Sequence, residues 1–176
     1  LVGGINLPIY TKNLQVACNK VYIANGNSGV AVVDASDPRH PRLLSATKVG
    51  ALVTDLAVSE VATTQAAGPG EMIVATDVSE GGFHVLYGSD PQQLTAVSTY
   101  RVPGVTTDAA ALDRYVYLAT GMDGDVTIVD DSEQDLAGVG FLRTPEQSTT
   151  VHVYGDRLYI YGENNLMRVM DIADPV

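Results

Sequence analysis

Val21-Tyr22-Ile23-Ala24-Asn25-Gly26 and, after a short break, Gly29-Val30-Ala31-Val32-Val33-Asp34-Ala35-Ser36-Asp37-Pro38 form one phrase, and the chain writes that phrase four times. Each copy has a β-rich stretch ending in small polar residues, a glycine-containing turn, and a second β-rich stretch closing on acidic or small residues. It returns as Glu71 to Asp77 with Gly82 to Pro91, as Tyr115 to Gly121 with Asp125 to Gln134, and as Arg157 to Glu163 with Leu166 to Pro175. A period of roughly 40 to 50 residues marks units that bury their faces only by stacking on their neighbours.

Within each copy the apolar and polar residues alternate, or short β-branched and aromatic runs are bounded by Gly, Asn, Asp and Pro, which predicts strands joined by tight turns. Four strands per copy are expected. The inner one runs Asp55 to Ser59, Asp108 to Leu112 or Thr150 to Tyr154; the two strands of the phrase follow; the outer one runs Pro41 to Val49, Leu94 to Val102 or Leu136 to Thr144. The fold class is therefore all-β: a β-propeller of four-stranded antiparallel blades, about four in this chain. The blades span approximately 12–51, 52–104, 105–146, and 147–176 plus 1–11, within one domain over 1–176. Tyr22, Tyr117 and Tyr159 share a column of the second strand, with Ile73 in the remaining copy, as expected of aromatics packed between sheets. The run Val61 to Gly70 reads as an inserted loop.

Copy four stops where its outer strand should begin, while Leu1 to Pro8 resembles an outer strand such as Leu136 to Leu142. If the opening strand completes the last blade, a four-bladed ring closes on itself and that blade has no bare sheet edge. The competing arrangement is a slice of a longer repeat protein, or a head-to-tail pair, in which Leu1 to Pro8 finishes a different blade.

The chain has 176 residues, of which 45% are hydrophobic, enough for a real core. Its net charge of -11 repels phosphate backbones and anionic lipid surfaces, which argues against nucleic acid as a partner. No stretch approaches the apolar length of a membrane helix, so no membrane insertion by a helix is expected. The lone Cys18 excludes an internal disulfide, and its apolar context predicts a buried small hydrophobe.

The run from Gly29 to Pro38, with Val21 to Gly26 before it and Pro41-Arg42-Leu43-Leu44 after it, resembles the LVIVD repeat, named for an apolar strand ending in aspartate. Copy three keeps Val126-Thr127-Ile128-Val129-Asp130 and copy four keeps Val169-Met170-Asp171-Ile172-Ala173-Asp174-Pro175; copy two departs, with Val85-Leu86-Tyr87-Gly88, yet retains Ser89-Asp90-Pro91. The resemblance implies a β-propeller, usually in exported or surface-associated prokaryotic proteins, and implies no chemistry. The Asp-Ala-Ser-Asp-Pro clasp itself is expected to be a turn, in which Asp34, Asp37, Asp130, Asp171 and Asp174 accept from nearby backbone amides.

The chain has no nucleophile elbow, phosphate-cradling glycine loop or His-Glu-x-x-His pair. His40 falls in a turn and His84 in a half-buried strand, each without the partners that a base or ligand needs. Gly121 to Asp125 lacks the downstream acid of an EF-hand loop and reads as a turn. Counting back nine residues from the tyrosine column gives Asn13, Asp108 and Thr150, and Asp55 joins them once the insertion is removed. His152 follows two residues on, in the column of Gln15, Ala57 and Ala110. These residues are the candidate ligand-binding site at one mouth of the central channel: Asn13, Asp55, Asp108, Thr150 and His152. No catalytic residue is assigned and no cofactor is expected, although an oxygen-rich ring is the set that a hard cation such as Ca²⁺ accepts.

Three functions follow. The first is a non-catalytic binding or scaffold module, extracellular or at the cell surface, for a protein or glycan partner. The second is an enzyme or metal-binding propeller whose polar groups converge in the channel, with Asp55, Asp108 and His152 as acid, base or metal ligands. The third is a self-assembling structural subunit of a filament or surface layer.

Overall fold

A computed structural model describes residues 2–7, 11–50, 52–61, 70–88, 90–121, 125–131, 136–145 and 147–174. Most of the expected insertion, the centre of the turn after Gly121, Ser89 and Pro175 lie outside the described residues. Blade one comprises β1 (Asn13–Ala17), β2 (Lys20–Ala24), β3 (Val30–Asp34) and β4 (Arg42–Thr47). Blade two comprises β5 (Val53–Val61), β6 (Gly70–Asp77), β7 (Phe83–Gly88) and β8 (Thr95–Tyr100). Blade three comprises β9 (Asp108–Leu112), β10 (Tyr115–Ala119), β11 (Asp125–Asp130) and β12 (Ala137–Arg143), and blade four β13 (Ser148–Tyr154), β14 (Arg157–Gly162) and β15 (Met167–Asp171). Every sheet is an antiparallel meander in chain order. The innermost strands β1, β5, β9 and β13 pack on one another in that sequence.

Tight hairpins set the inner register. Ala17 pairs with Lys20 across Cys18 and Asn19, both at positive φ, and Leu112 pairs with Tyr115 across Asp113 at φ 50°. Such turns carry the right-handed twist of their strands. They also place Cys18 on the surface, contrary to the buried position its apolar neighbours suggest, because the turn carries it away from the sheet. Each pairing of a third with an outer strand is interrupted at one equivalent point, Val32/Val33, Val85/Leu86 and Ile128/Val129. A bulge there bends the outer strand away.

Alternation along each strand then builds the core between blades. Tyr22, Ala24, Val30 and Val32 meet Leu56, Ile73, Ala75 and Leu86 of blade two. Met72, Val74 and Val85 meet Ala109, Val116, Leu118 and Val129 of blade three. Tyr117, Ala119, Val126 and Ile128 meet Val151, Leu158 and Ile160 of blade four. Ile73 thus lies against Tyr22 instead of repeating its position. In the regular ladder from Leu56 to Val61, Ala57 stands opposite Val74, as Gln15 stands opposite Tyr22 and Ala110 opposite Tyr117, so Val74 holds the tyrosine position. A one-residue slip exchanges the faces of a strand.

The clasp residues close turns. Asp34 Oδ1 accepts the Ser36 amide at 2.9 Å and its hydroxyl at 2.6 Å, Asp37 accepts the Arg39 amide at 2.9 Å, and Asp171 accepts the Ala173 amide at 3.1 Å. Asp130 instead faces the Arg114 guanidinium at 3.2 Å. At the first junction between blades, buried Glu71 accepts from Lys20 Nζ at 2.5 Å and bonds to the Tyr22 hydroxyl, whose pKa burial and this carboxylate both raise. Glu71→Ala leaves that hydroxyl and ammonium without their acceptor. It is expected to cost about 2 kcal/mol, read as a lowered urea midpoint at an unchanged slope.

The expected place of Leu1 to Pro8 is the outer edge of blade four. Among the described residues, 2–7 form no strand and the sheet of blade four has three strands. Leu7 packs on blade one instead, against Ile23, Ala31 and Val33, whose apolar side chains face away from blade two.

Candidate functional site

The inner-strand column is a chain of hydrogen bonds running from blade to blade. Asn13 begins β1; its Oδ1 accepts the Leu14 amide at 2.6 Å, and its Nδ2 donates to Asp55 Oδ1. Asp55, buried just inside β5, is fixed by Thr76, whose hydroxyl accepts the Asp55 amide and donates to the Asp55 carbonyl, both at 3.1 Å. The second oxygen of Asp55 accepts the Ala109 amide of blade three at 3.3 Å. Asp108 repeats the arrangement one blade on. Its Oδ1 accepts the same Ala109 amide at 2.9 Å, and its Oδ2 accepts the Val151 amide of blade four at 2.9 Å. Thr107 and Thr149, next to the column, donate to the carbonyls of Ala119 and Tyr161 at 3.1 Å.

Both carboxyl groups reach the one Ala109 amide, which sets Asp55 and Asp108 side by side. Burial, then this contact with Asp55, pushes the Asp108 carboxyl up to about 8. Asp108 therefore keeps its proton at neutral pH, since a buried carboxyl group beside another one is costly to ionise.

Asn13, Asp108, Thr150 and His152 line one cavity of about 260 Å³ whose remaining wall is Gln15 with alanines and valines of the inner strands. Asp55 is joined to it through Asn13. The structure therefore brings the five candidate residues together, with His152 exposed at the wall and the two acids committed to backbone amides. Among the described residues no three His, Cys, Asp or Glu side chains converge to hold a metal ion. His40 bonds Asp37 at 2.8 Å on the surface, and His84 bonds Thr99 at 2.9 Å on the face of blade two, both remote from the column.

A second concavity escapes inspection of the sequence. Between blades two and three a cleft of about 450 Å³ is walled by Tyr100, Val102 and Pro103 on one side and by Gly138, Phe141 and Arg143 on the other, with Thr120 and Thr127 also lining it. Gly138 leaves room for Tyr100: a β-carbon there would stand 2.5 Å from the tyrosine oxygen. Phe141 remains 62% exposed, with the Arg143 guanidinium 5.7 Å from its ring centroid. The available signals were an unusual phenylalanine on an outer strand and the glycines beside it. The cleft is shaped by residues of separate blades, which no local spacing reveals.

The profile of the LVIVD repeat matches residues 10–48 and 147–176, in blades one and four. No curated protein sequence matches the chain. Among solved structures, BamB from Moraxella catarrhalis superposes with a TM-score of 0.67 at 15% identity over 92% of this chain and 44% of its own. The Cps50 (Swd1) β-propeller domain of Myceliophteria thermophila gives 0.68 at 13% identity, covering 93% and 54% respectively. The computationally designed Ika4 protein gives 0.65 at 14% identity, with 98% of each chain covered. The chain spans about half the length of the two natural propellers and the whole of the designed one. At these identities the likeness concerns the fold alone.

Proposed function

We propose that this chain, an LVIVD-repeat β-propeller, is a binding and scaffold module, exported or surface-associated in its host, that holds a protein partner in the cleft between blades two and three. The observation carrying this reading is exposed Phe141 above a preformed cleft beside β12, the outermost strand of its sheet. An extended segment added to such an edge gains main-chain hydrogen bonds, while a side chain enters the neighbouring pocket. Phe141 and Tyr100 supply rigid aromatic walls, and Arg143 supplies a donor for a carboxylate. The channel column has a different task. Its carboxyl groups are already taken up by the amides of the following blade, which makes them fasteners of the frame that presents the cleft.

The test is a phage-displayed peptide library selected on the intact chain and compared on Phe141→Ser, a substitution at an exposed position. Selected peptides are expected to bind Phe141→Ser at least about tenfold more weakly, the scale of one aromatic hot spot. Equal binding to both proteins would contradict the cleft as the site. Binding of immobilised oligosaccharides that depends on Phe141, with no peptide enriched, would assign the cleft to a glycan instead.

A further inference from the structure

Blades two and three can be compared position by position. Val85 stands opposite Val74 as Ile128 stands opposite Tyr117, so His84 of β7 answers to Thr127 of β11. Opposite these two on the outer strands are Thr99 and Phe141. Ala75, beside His84, packs toward blade one, and Leu118, beside Thr127, packs toward blade two, so both positions face the preceding blade. In blade two that place holds a ring. His84, its side chain 12% exposed, hydrogen-bonds Thr99 at 2.9 Å and stands 3.5 Å from the buried Asp77 carboxylate. In blade three it holds the small Thr127 opposite exposed Phe141, and there the cleft of about 450 Å³ opens.

Charge supplies a second, independent observation. Arg42, Arg101, Arg114 and Arg157 each face a carboxylate of their own blade, Asp34, Glu80, Asp130 and Asp171 respectively. Arg143, on the cleft wall, has no carboxylate partner among the described residues and lies instead over the Phe141 ring. In a chain of net charge -11 it is a local cation held beside an aromatic, open to an acid from outside. Phe141 and Arg143 stand two residues apart on β12. A segment running beside that strand carries alternate side chains to one face, about 7 Å apart.

On the reading of this cleft as the partner site, we propose that the bound segment of the partner is an extended peptide carrying an aromatic and an acidic residue at alternate positions. The aromatic ring enters the space beside Thr127, where blade two places His84, and the carboxylate takes the Arg143 guanidinium. One acid is selected and not an acidic tract, because a run of negative charge would meet the net negative charge of the chain itself.

The test takes the peptides selected on the intact chain that lose binding on Phe141→Ser, resynthesised with a fluorescent label and followed by anisotropy. Their sequences are expected to share an aromatic residue and an Asp or Glu two residues apart. Replacing that acid by its amide is expected to weaken binding about tenfold, the scale of a charge-assisted hydrogen bond, and to have no such effect on Arg143→Gln, a substitution at an exposed position. Thr127→His, checked for an unchanged melt, fills the cleft from within and is expected to weaken the same peptides by about tenfold as well, whereas Thr127→Ser is expected to retain them. Phe141-dependent peptides without the pair, an amide that binds as well as the acid, or peptides indifferent to Thr127→His would each overturn the inference and leave the cleft as the partner site. A selection that yields no Phe141-dependent peptide would overturn both.

Discussion

Gly82→Ala is expected to destabilise the chain by about 3 kcal/mol, more than any exposed substitution should. Gly82 holds φ at +103°, and a β-carbon on it would stand 1.9 Å from the Tyr100 carbonyl oxygen. The obstacle is backbone at the end of the outer strand, which a rotamer change cannot relieve. The same residue donates its amide to buried Thr106 at 3.0 Å, and its carbonyl accepts the Asp77 amide at 3.0 Å, so moving it disturbs two blades. Gly29 is its counterpart in blade one, with φ +81° and a β-carbon position 2.1 Å from the Thr47 carbonyl oxygen. Urea denaturation of both alanine variants gives the comparison. Losses below about 1 kcal/mol, the ordinary propensity scale, would show that the hairpins relax easily.

Asp108 governs the second large effect, on the pH dependence of stability. Its carboxyl keeps its proton up to about 8 in the folded chain, whereas the unfolded chain releases it near 4. The folded state therefore binds more protons across that interval, and stability present below pH 4 is lost as pH rises toward 8. Asp131, raised to about 6 by burial, acts in the same direction. The turn carboxylates oppose them at acid pH. Hydrogen bonds from Ser36 hold Asp34 low, contacts with His40 and the Arg39 amide hold Asp37 low, and Ser79 and Glu80 hold Asp77 low against its burial. Their contribution disappears as pH falls below the ordinary carboxylate range. Melting temperature should thus decline from mildly acidic to mildly alkaline pH. Asp108→Asn, which keeps an oxygen for the Val151 amide, should flatten most of that decline. Asp108→Ala should instead cost about 2 kcal/mol near pH 6, because it leaves a buried amide unpaired. A slope unchanged in Asp108→Asn would remove the Asp108 proton from the explanation.

The blade pattern and the inner column were legible because they are local. A two-residue hairpin fixes how far Asn13 stands from Tyr22, and the same spacing recovers Asp108 from Tyr117 and Thr150 from Tyr159. Where local spacing is disturbed, the pattern misleads. The insertion between β5 and β6 hides the register by which Val74, one residue past Ile73, holds the tyrosine position, and a turn at positive φ brings Cys18 to the surface. Contacts between blades were beyond the pattern altogether. That Asp55 and Asp108 would reach the next blade's amides, or that Tyr100 would face Gly138 across a cleft, depends on how the sheets stack and not on how residues alternate.

The inner-strand acids fasten successive blades by accepting the next blade's amides, Asp108 while it holds its proton. The carboxyl carbon chemical shift of Asp108, followed by NMR through a pH titration, tests this most directly. The account predicts that Asp108 titrates near 8, with the Val151 amide shift following the same midpoint. Titration of Asp108 near 4, with the Val151 amide indifferent to pH, would contradict it.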